Sequence, residues 1–138
     1  MREAVLDASV VLKWFREGES RGEVALSLRR AYAAGDLFVF APSLLPFEIL
    51  NVAGRRWGWQ ERALVELADS LDALGFELVD PDLSRVARWT ARGLTAYDAA
   101  YVAIAEAAAI ELVTDDELIV SVTPGVATRL ADAAAPDT

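Results

Sequence analysis

The chain predicts an α/β fold, a single-domain α/β/α sandwich around a central parallel sheet of four to five strands. Three observations carry that reading. Short apolar or β-branched stretches alternate with segments of helical period. No internal repeat, low-complexity tract or Gly/Ser-rich linker divides the chain. Its 138 residues, 54% of them hydrophobic, suffice for one substantial core. Strands separated by helices pair in parallel, because each crossover returns the chain to the same end of the sheet. Right-handed crossovers then place helices on both faces, and ligands bind beyond the carboxyl ends of the strands.

Glu3 to Leu6 reads as the first strand, ended by Asp7, and Val10, Val11, Trp14 and Phe15 follow at helical spacing. Ser20 with Glu23 forms a capping-box pattern; Val24, Ala25, Leu28, Ala31 and Tyr32 mark one face of a helix that stops at Gly35. Leu37 to Ala41, aromatic and β-branched, is the second strand. Ser43 is expected to cap a helix running to about Trp57, with Pro46 in its first turn, where a missing N–H is harmless. Leu64, Leu67, Ala68, Leu71 and Leu74 outline the next helix, closed by Gly75, and Phe76 to Val79 is the third strand. Leu83, Val86 and Ala87 indicate a short helix, Thr95 with Asp98 opens an alanine-rich helix reaching about Ala109, and Glu111 to Thr114 is the fourth strand. Leu118 to Val122 reads equally as a strand or a short helix, and Val126 to Leu130 as an added edge strand. The domain is expected to span residues 1–130, with 131–138 a disordered tail.

Composition excludes several chemistries. With no His and no Cys, there is no imidazole-based triad, no thiolate nucleophile and no zinc site of the usual nitrogen and sulfur kind. Carboxylates remain, and these suit hard cations such as Mg²⁺ or Mn²⁺. The net charge of −9 argues against nucleic acid, although the pairs Arg29-Arg30 and Arg55-Arg56 allow a local basic patch and bound cations would offset acids where phosphate must approach. An acidic surface also suits a basic protein partner. The longest charge-free stretches, Leu37 to Phe47 and Leu118 to Thr128, fall well short of the ~20 residues that span a bilayer. Asp7 interrupts the N-terminal apolar run, so a secretory signal is not expected, and a cytoplasmic location is.

Four acids stand out: Asp7, Glu48, Asp98 and Asp116. Each has an ordinary explanation. Asp7 and Ser9 could cap the following helix, and Asp98 could complete a capping box with Thr95. Glu48 could belong to an ion-paired surface stripe with Asn51 and Arg55, but it lies among Leu44, Leu45, Phe47, Ile49 and Leu50, where a charge is harder to explain. Asp115, Asp116 and Glu117 could end a strand in water, though three adjacent charges invite a cation or basic group. Asp80 and Asp82, split by Pro81, read as caps. Trp57 and Trp59, beside Arg55 and Arg56, could stack on bases but read more readily as core or subunit interface.

Together, Leu6-Asp7-Ala8-Ser9-Val10-Val11-Leu12-Lys13-Trp14-Phe15, Glu48-Ile49-Leu50-Asn51-Val52, Tyr97-Asp98-Ala99-Ala100-Tyr101 through Glu106, and Leu112-Val113-Thr114-Asp115-Asp116 resemble the PIN-domain family, specifically its VapC-type toxins. The match runs in order over most of the chain. The resemblance implies a PIN-like fold with strands one and four adjacent, a Mg²⁺- or Mn²⁺-dependent RNA endonuclease, a homodimer, and a VapB-type antitoxin as partner in a type II toxin–antitoxin pair. It carries the family's acids onto Asp7, Glu48, Asp98 and Asp116, with Asp115 as the competing choice for the fourth. One or two ions would activate water for in-line attack, with Asp7, Asp98 and Asp116 as metal ligands and Glu48 as ligand or water-orienting base. Ser9, Asn51 and Thr114 would support by hydrogen bonding. Two other readings stand beside this one. The first is a non-catalytic PIN-like dimer that binds an antitoxin-type partner. The second is an aspartyl-phosphate phosphatase acting through Asp7, which would want a second aspartate where Ser9 stands and a lysine elsewhere than Lys13.

Overall fold

A computed structural model of the chain describes residues 2–133. Strands β1 (Arg2–Leu6), β2 (Leu37–Pro42), β3 (Glu77–Val79), β4 (Glu111–Thr114) and β5 (Ala127–Arg129) form one sheet in the order β3-β2-β1-β4-β5. Every pairing is parallel, with Val5 opposite Phe40 and Leu112, and Leu6 opposite Val113. The central strand β1 ends in three fully buried residues, Ala4, Val5 and Leu6, as expected of a strand covered on both faces.

The order reverses at β1. From there the chain steps outward to β2 and β3, then crosses back to β4 on the other side and on to β5. The carboxyl ends of β1 and β4 therefore flank a topological switch point, the crevice where open α/β sheets bind ligands. Asp7 follows β1 there, and Asp115 and Asp116 follow β4.

The helices are α1 (Ala8–Val11), prolonged by a 3₁₀ turn at Leu12–Trp14, then α2 (Gly22–Ala33), α3 (Leu45–Arg55), α4 (Glu61–Leu74), α5 (Leu83–Ala91), α6 (Ala96–Ala108) and α7 (Glu117–Val122). In α6 every residue from Ala99 to Ala105 is buried, which explains a helix apolar on all sides. Its small alanines let neighbouring elements come close, and Tyr101 is the large exception. Beneath α2, Trp14 packs edge-on against Phe76 at 5.7 Å and donates from Nε1 to the Ala25 carbonyl at 2.8 Å. Gly75 closes α4 in the left-handed conformation at φ 71°, as its sequence position predicts.

Several local expectations are corrected. The segment left open between strand and helix is α7, because the Asp116 carboxylate accepts from the N–H groups of Leu118 and Ile119 and starts a helix there. Ser20 does not cap α2: the N-cap is Arg21, left-handed at φ 57°, whose guanidinium is drawn away to Asp115. Ser43 does not cap α3 either; Leu44 holds that position and the Ser43 hydroxyl donates to Asp80. Of the expected disordered tail, residues 134–138 lie outside the described residues, while Leu130–Asp132 forms a 3₁₀ turn and Ala133 is buried. Among the described residues no helix is long and apolar enough to cross a membrane.

Candidate active site

Each of the four acids sits at the start of a different helix. Asp7 and Asp116 occupy the N-cap positions of α1 and α7, while Glu48 and Asp98 lie in the first turns of α3 and α6. Helix N-termini carry partial positive charge and unpaired N–H groups, so this placement offsets part of the repulsion among four carboxylates. The fold thus gathers residues from across the chain at the carboxyl edge of the sheet.

Asp7 is only 4% exposed. Although it stands at an N-cap position, its carboxylate makes no capping bond, so the ordinary reading fails here. Instead Oδ1 accepts from the Ser9 hydroxyl at 2.5 Å and Oδ2 from the Thr114 hydroxyl. Those hydroxyls are themselves held: Ser9 Oγ accepts from the Asp115 N–H at 2.9 Å, and Thr114 Oγ1 from the Asp116 N–H at 3.0 Å. Two of the three expected supporting residues, Ser9 and Thr114, therefore clamp Asp7 to the β4–α7 turn. Burial pushes the Asp7 carboxyl up to about 7, with the charge of Asp98 adding to the rise and the two hydroxyls opposing it.

Glu48 and Asp98 are likewise raised above the ordinary carboxylate range, in each case chiefly by burial and then by a neighbouring carboxylate, Asp98 for Glu48 and Asp116 for Asp98. Asp98 is thus electrostatically coupled to each of the other three acids. Thr95 caps α6 by accepting from the Asp98 backbone N–H, so the capping reading is correct and coexists with membership of the cluster. The same holds for Asp116, whose Oδ1 caps α7 at 2.9 and 3.3 Å.

Asp115 has a different role. Lys13 Nζ lies 3.2 Å from its Oδ2, and Arg21 binds both oxygens at 2.5 and 2.9 Å. Burial would raise its carboxyl, but the two cations outweigh that and hold it below the usual range. Lys13 and Arg21 also wall a cleft of about 750 Å³ that includes Arg16 and Arg29 and is lined by none of the four acids. Asn51 is exposed on α3 and joins none of these bonds. Trp57 and Trp59 pack on each other at 5.2 Å and against the core, and Asp82 caps α5 through Ser84, as expected.

Tyr101 was not among the expected site residues. It is 1% exposed and donates its phenol proton to Glu48 Oε1 at 2.6 Å. Its position three residues after Asp98 puts it on the same side of α6, which was the available signal. The donor set, carboxylate oxygens alone, fits a hard divalent cation by its chemistry. Among the described residues no group of three acids is already closed around a cation position.

The sequence model of the PIN domain family matches residues 4–123. No curated protein matches the chain. Among solved structures, PAE2754 from Pyrobaculum aerophilum is 26% identical over 94% of this chain and 92% of its own, with a TM-score of 0.65. VapC20 of Mycobacterium tuberculosis, a toxin that cleaves the sarcin-ricin loop, is 21% identical over 86% of this chain and 93% of its own, with a TM-score of 0.63.

Proposed function

The chain belongs to the PIN domain family, and from that premise we propose that it is a Mg²⁺- or Mn²⁺-dependent endoribonuclease acting as a VapC-type toxin. The observation that carries this reading is the convergence of four carboxylates from four helix starts on the β1/β4 switch point, with Asp98 coupled to the other three.

Asp7, Asp98 and Asp116 would hold the ion, and Glu48 would serve as ligand or as the acceptor that orients water. A divalent cation bound there would supply Lewis acidity toward water and offset the charge of the phosphodiester. Ser9 and Thr114 keep Asp7 in one orientation through bonds to both its oxygens. The N-termini of α3 and α6 favour anionic groups at this edge.

The toxin role is supported by the likeness to VapC20, and with it we propose a VapB-type antitoxin, a homodimer and a cytoplasmic site of action. A chain of net charge −9 suits a basic segment of such a partner. The aspartyl-phosphate alternative gains nothing from the geometry: both Asp7 oxygens accept hydroxyl protons, and the single lysine is paired with Asp115. A binding-only reading has one observation in its favour, the lack of a ready three-acid group among the described residues.

One assay decides among these. Structured RNA incubated with the purified chain is cleaved in Mn²⁺ or Mg²⁺, spared in chelator, and spared by Asp7→Asn and Asp98→Asn. Unchanged cleavage by both variants overturns the assignment, and intact RNA under all conditions leaves the binding-only reading.

A further inference from the structure

Glu48 is held differently from its neighbours. Asp7 is clamped by hydroxyls on its own turn and on β4, and Asp116 by the backbone of α7. Glu48 is held from another helix: its Oε1 accepts from the phenol of Tyr101, which is embedded in the fully buried stretch of α6. A phenol so placed has no water to turn to and needs an acceptor when buried. Burial first, and then the charges of Glu48, Asp7 and Asp98, raise its ionisation far above the ordinary tyrosine value. Tyr101 is therefore a permanent neutral donor beneath the cluster.

Its geometry links two acids. Tyr101 lies one helical turn after Asp98 on α6, so the residue that grips Glu48 is rigidly related to Asp98. Committing Oε1 to the phenol opposes two-oxygen coordination by Glu48, and among the described residues no side chain donates to Oε2. We propose that Tyr101 is a positioning residue that makes Glu48 the water-orienting acceptor of the site and not one of its metal ligands. This rests on the nuclease reading. In the step itself, Oε2 takes a proton from the attacking water as its oxygen bonds to phosphorus. The P–O3′ bond breaks, the leaving 3′ oxygen takes a proton from solvent, and the products carry a 5′ phosphate and a 3′ hydroxyl. Glu48 then returns its proton to solvent.

Two readouts on the full chain test this. In Mn²⁺ titrations, followed by melting temperature and by the electron paramagnetic resonance of free Mn²⁺, Tyr101→Phe and Glu48→Gln keep the binding midpoint within about twofold, whereas Asp98→Asn raises it about tenfold or more. In RNA cleavage, Tyr101→Phe lowers kcat about ten- to a hundredfold at unchanged KM, and adding it to Glu48→Gln costs nothing further. A midpoint for Glu48→Gln that rises as far as that of Asp98→Asn makes Glu48 a ligand and overturns the assignment. Wild-type kcat in Tyr101→Phe overturns the positioning role. Should Tyr101→Phe fail to melt cooperatively, Glu48→Gln carries the Mn²⁺ test alone. A wild-type chain that cleaves no RNA sinks the nuclease reading, and the Mn²⁺ titration still decides whether Glu48 is a ligand; no Mn²⁺ response at millimolar metal sinks both.

Discussion

Asp7 and Thr114, 107 residues apart in sequence, meet side chain to side chain, with the threonine hydroxyl donating to Asp7 Oδ2 inside the sheet's carboxyl edge. The same Thr114 oxygen accepts the Asp116 N–H, so one fully buried hydroxyl ties two of the four acids together. Thr114→Val keeps the shape and removes both bonds. It should cost about 1–3 kcal/mol, because the N–H and the carboxylate are left without their partner. Urea unfolding at neutral pH measures this, and a loss below the error of the fit would show that Thr114 serves packing alone.

The buried Asp7 makes stability depend on pH in an unusual direction. Its folded value of about 7 lies above the 3.8 of an exposed aspartate, so the native state binds the extra proton between them. That contribution to stability is fully present below about 3.8 and is lost as pH rises through about 7, by at most roughly 4 kcal/mol. Glu48 and Asp98, also raised, act in the same direction. In chelator, Asp7→Asn should therefore be more stable than wild type near pH 8 and show a flatter profile from pH 4 to 7. Parallel profiles for the two proteins would contradict the shift.

Metal should reverse this penalty. At a hundred times its dissociation constant a cation that binds only the folded state adds about 2.7 kcal/mol, and the coupled position of Asp98 means Asp98→Asn should lose most of that gain. Melting curves with and without Mn²⁺ give the answer directly.

The two aspartates of the β4–α7 turn should separate cleanly. Asp115→Asn leaves Lys13, whose side chain is 8% exposed, facing no charge, and should cost about 2–4 kcal/mol while keeping the Mn²⁺ response. Asp116→Asn should lose that response with a smaller stability cost, since an asparagine oxygen can still cap α7. A lost Mn²⁺ response in Asp115→Asn alone would exchange the two roles.

Trp57 should behave as a packing residue. Trp57→Ala is expected to lower stability by about 1–3 kcal/mol and leave the KM for RNA unchanged. A raised KM at full stability would return the pair Trp57 and Trp59 to base stacking.

The first four strands were legible as short apolar runs, and the acids because each starts, ends or interrupts an apolar segment. The adjacency of β1 and β4, which brings Asp7 to Thr114, is a long-range pairing that no local pattern encodes; it entered only through the family resemblance. Tyr101 stayed hidden because an aromatic in an apolar alanine-rich helix reads as core, and it is core by every measure except its hydroxyl. The Arg21–Asp115 pair spans 94 residues, and that distant partner overrode the local capping pattern at Ser20. For α7, five residues without a charge could not distinguish helix from strand, and the Asp116 cap settled it.

The four acids come from the turn after β1, from α3, from α6 and from the turn after β4, so the cluster needs the chain up to Asp116. During synthesis the strand that neighbours β1 on this side emerges late, and domains of this size fold as units once their pairing partners are available. Until β4 has emerged and paired with β1, a nascent chain therefore carries scattered carboxylates with no assembled cluster.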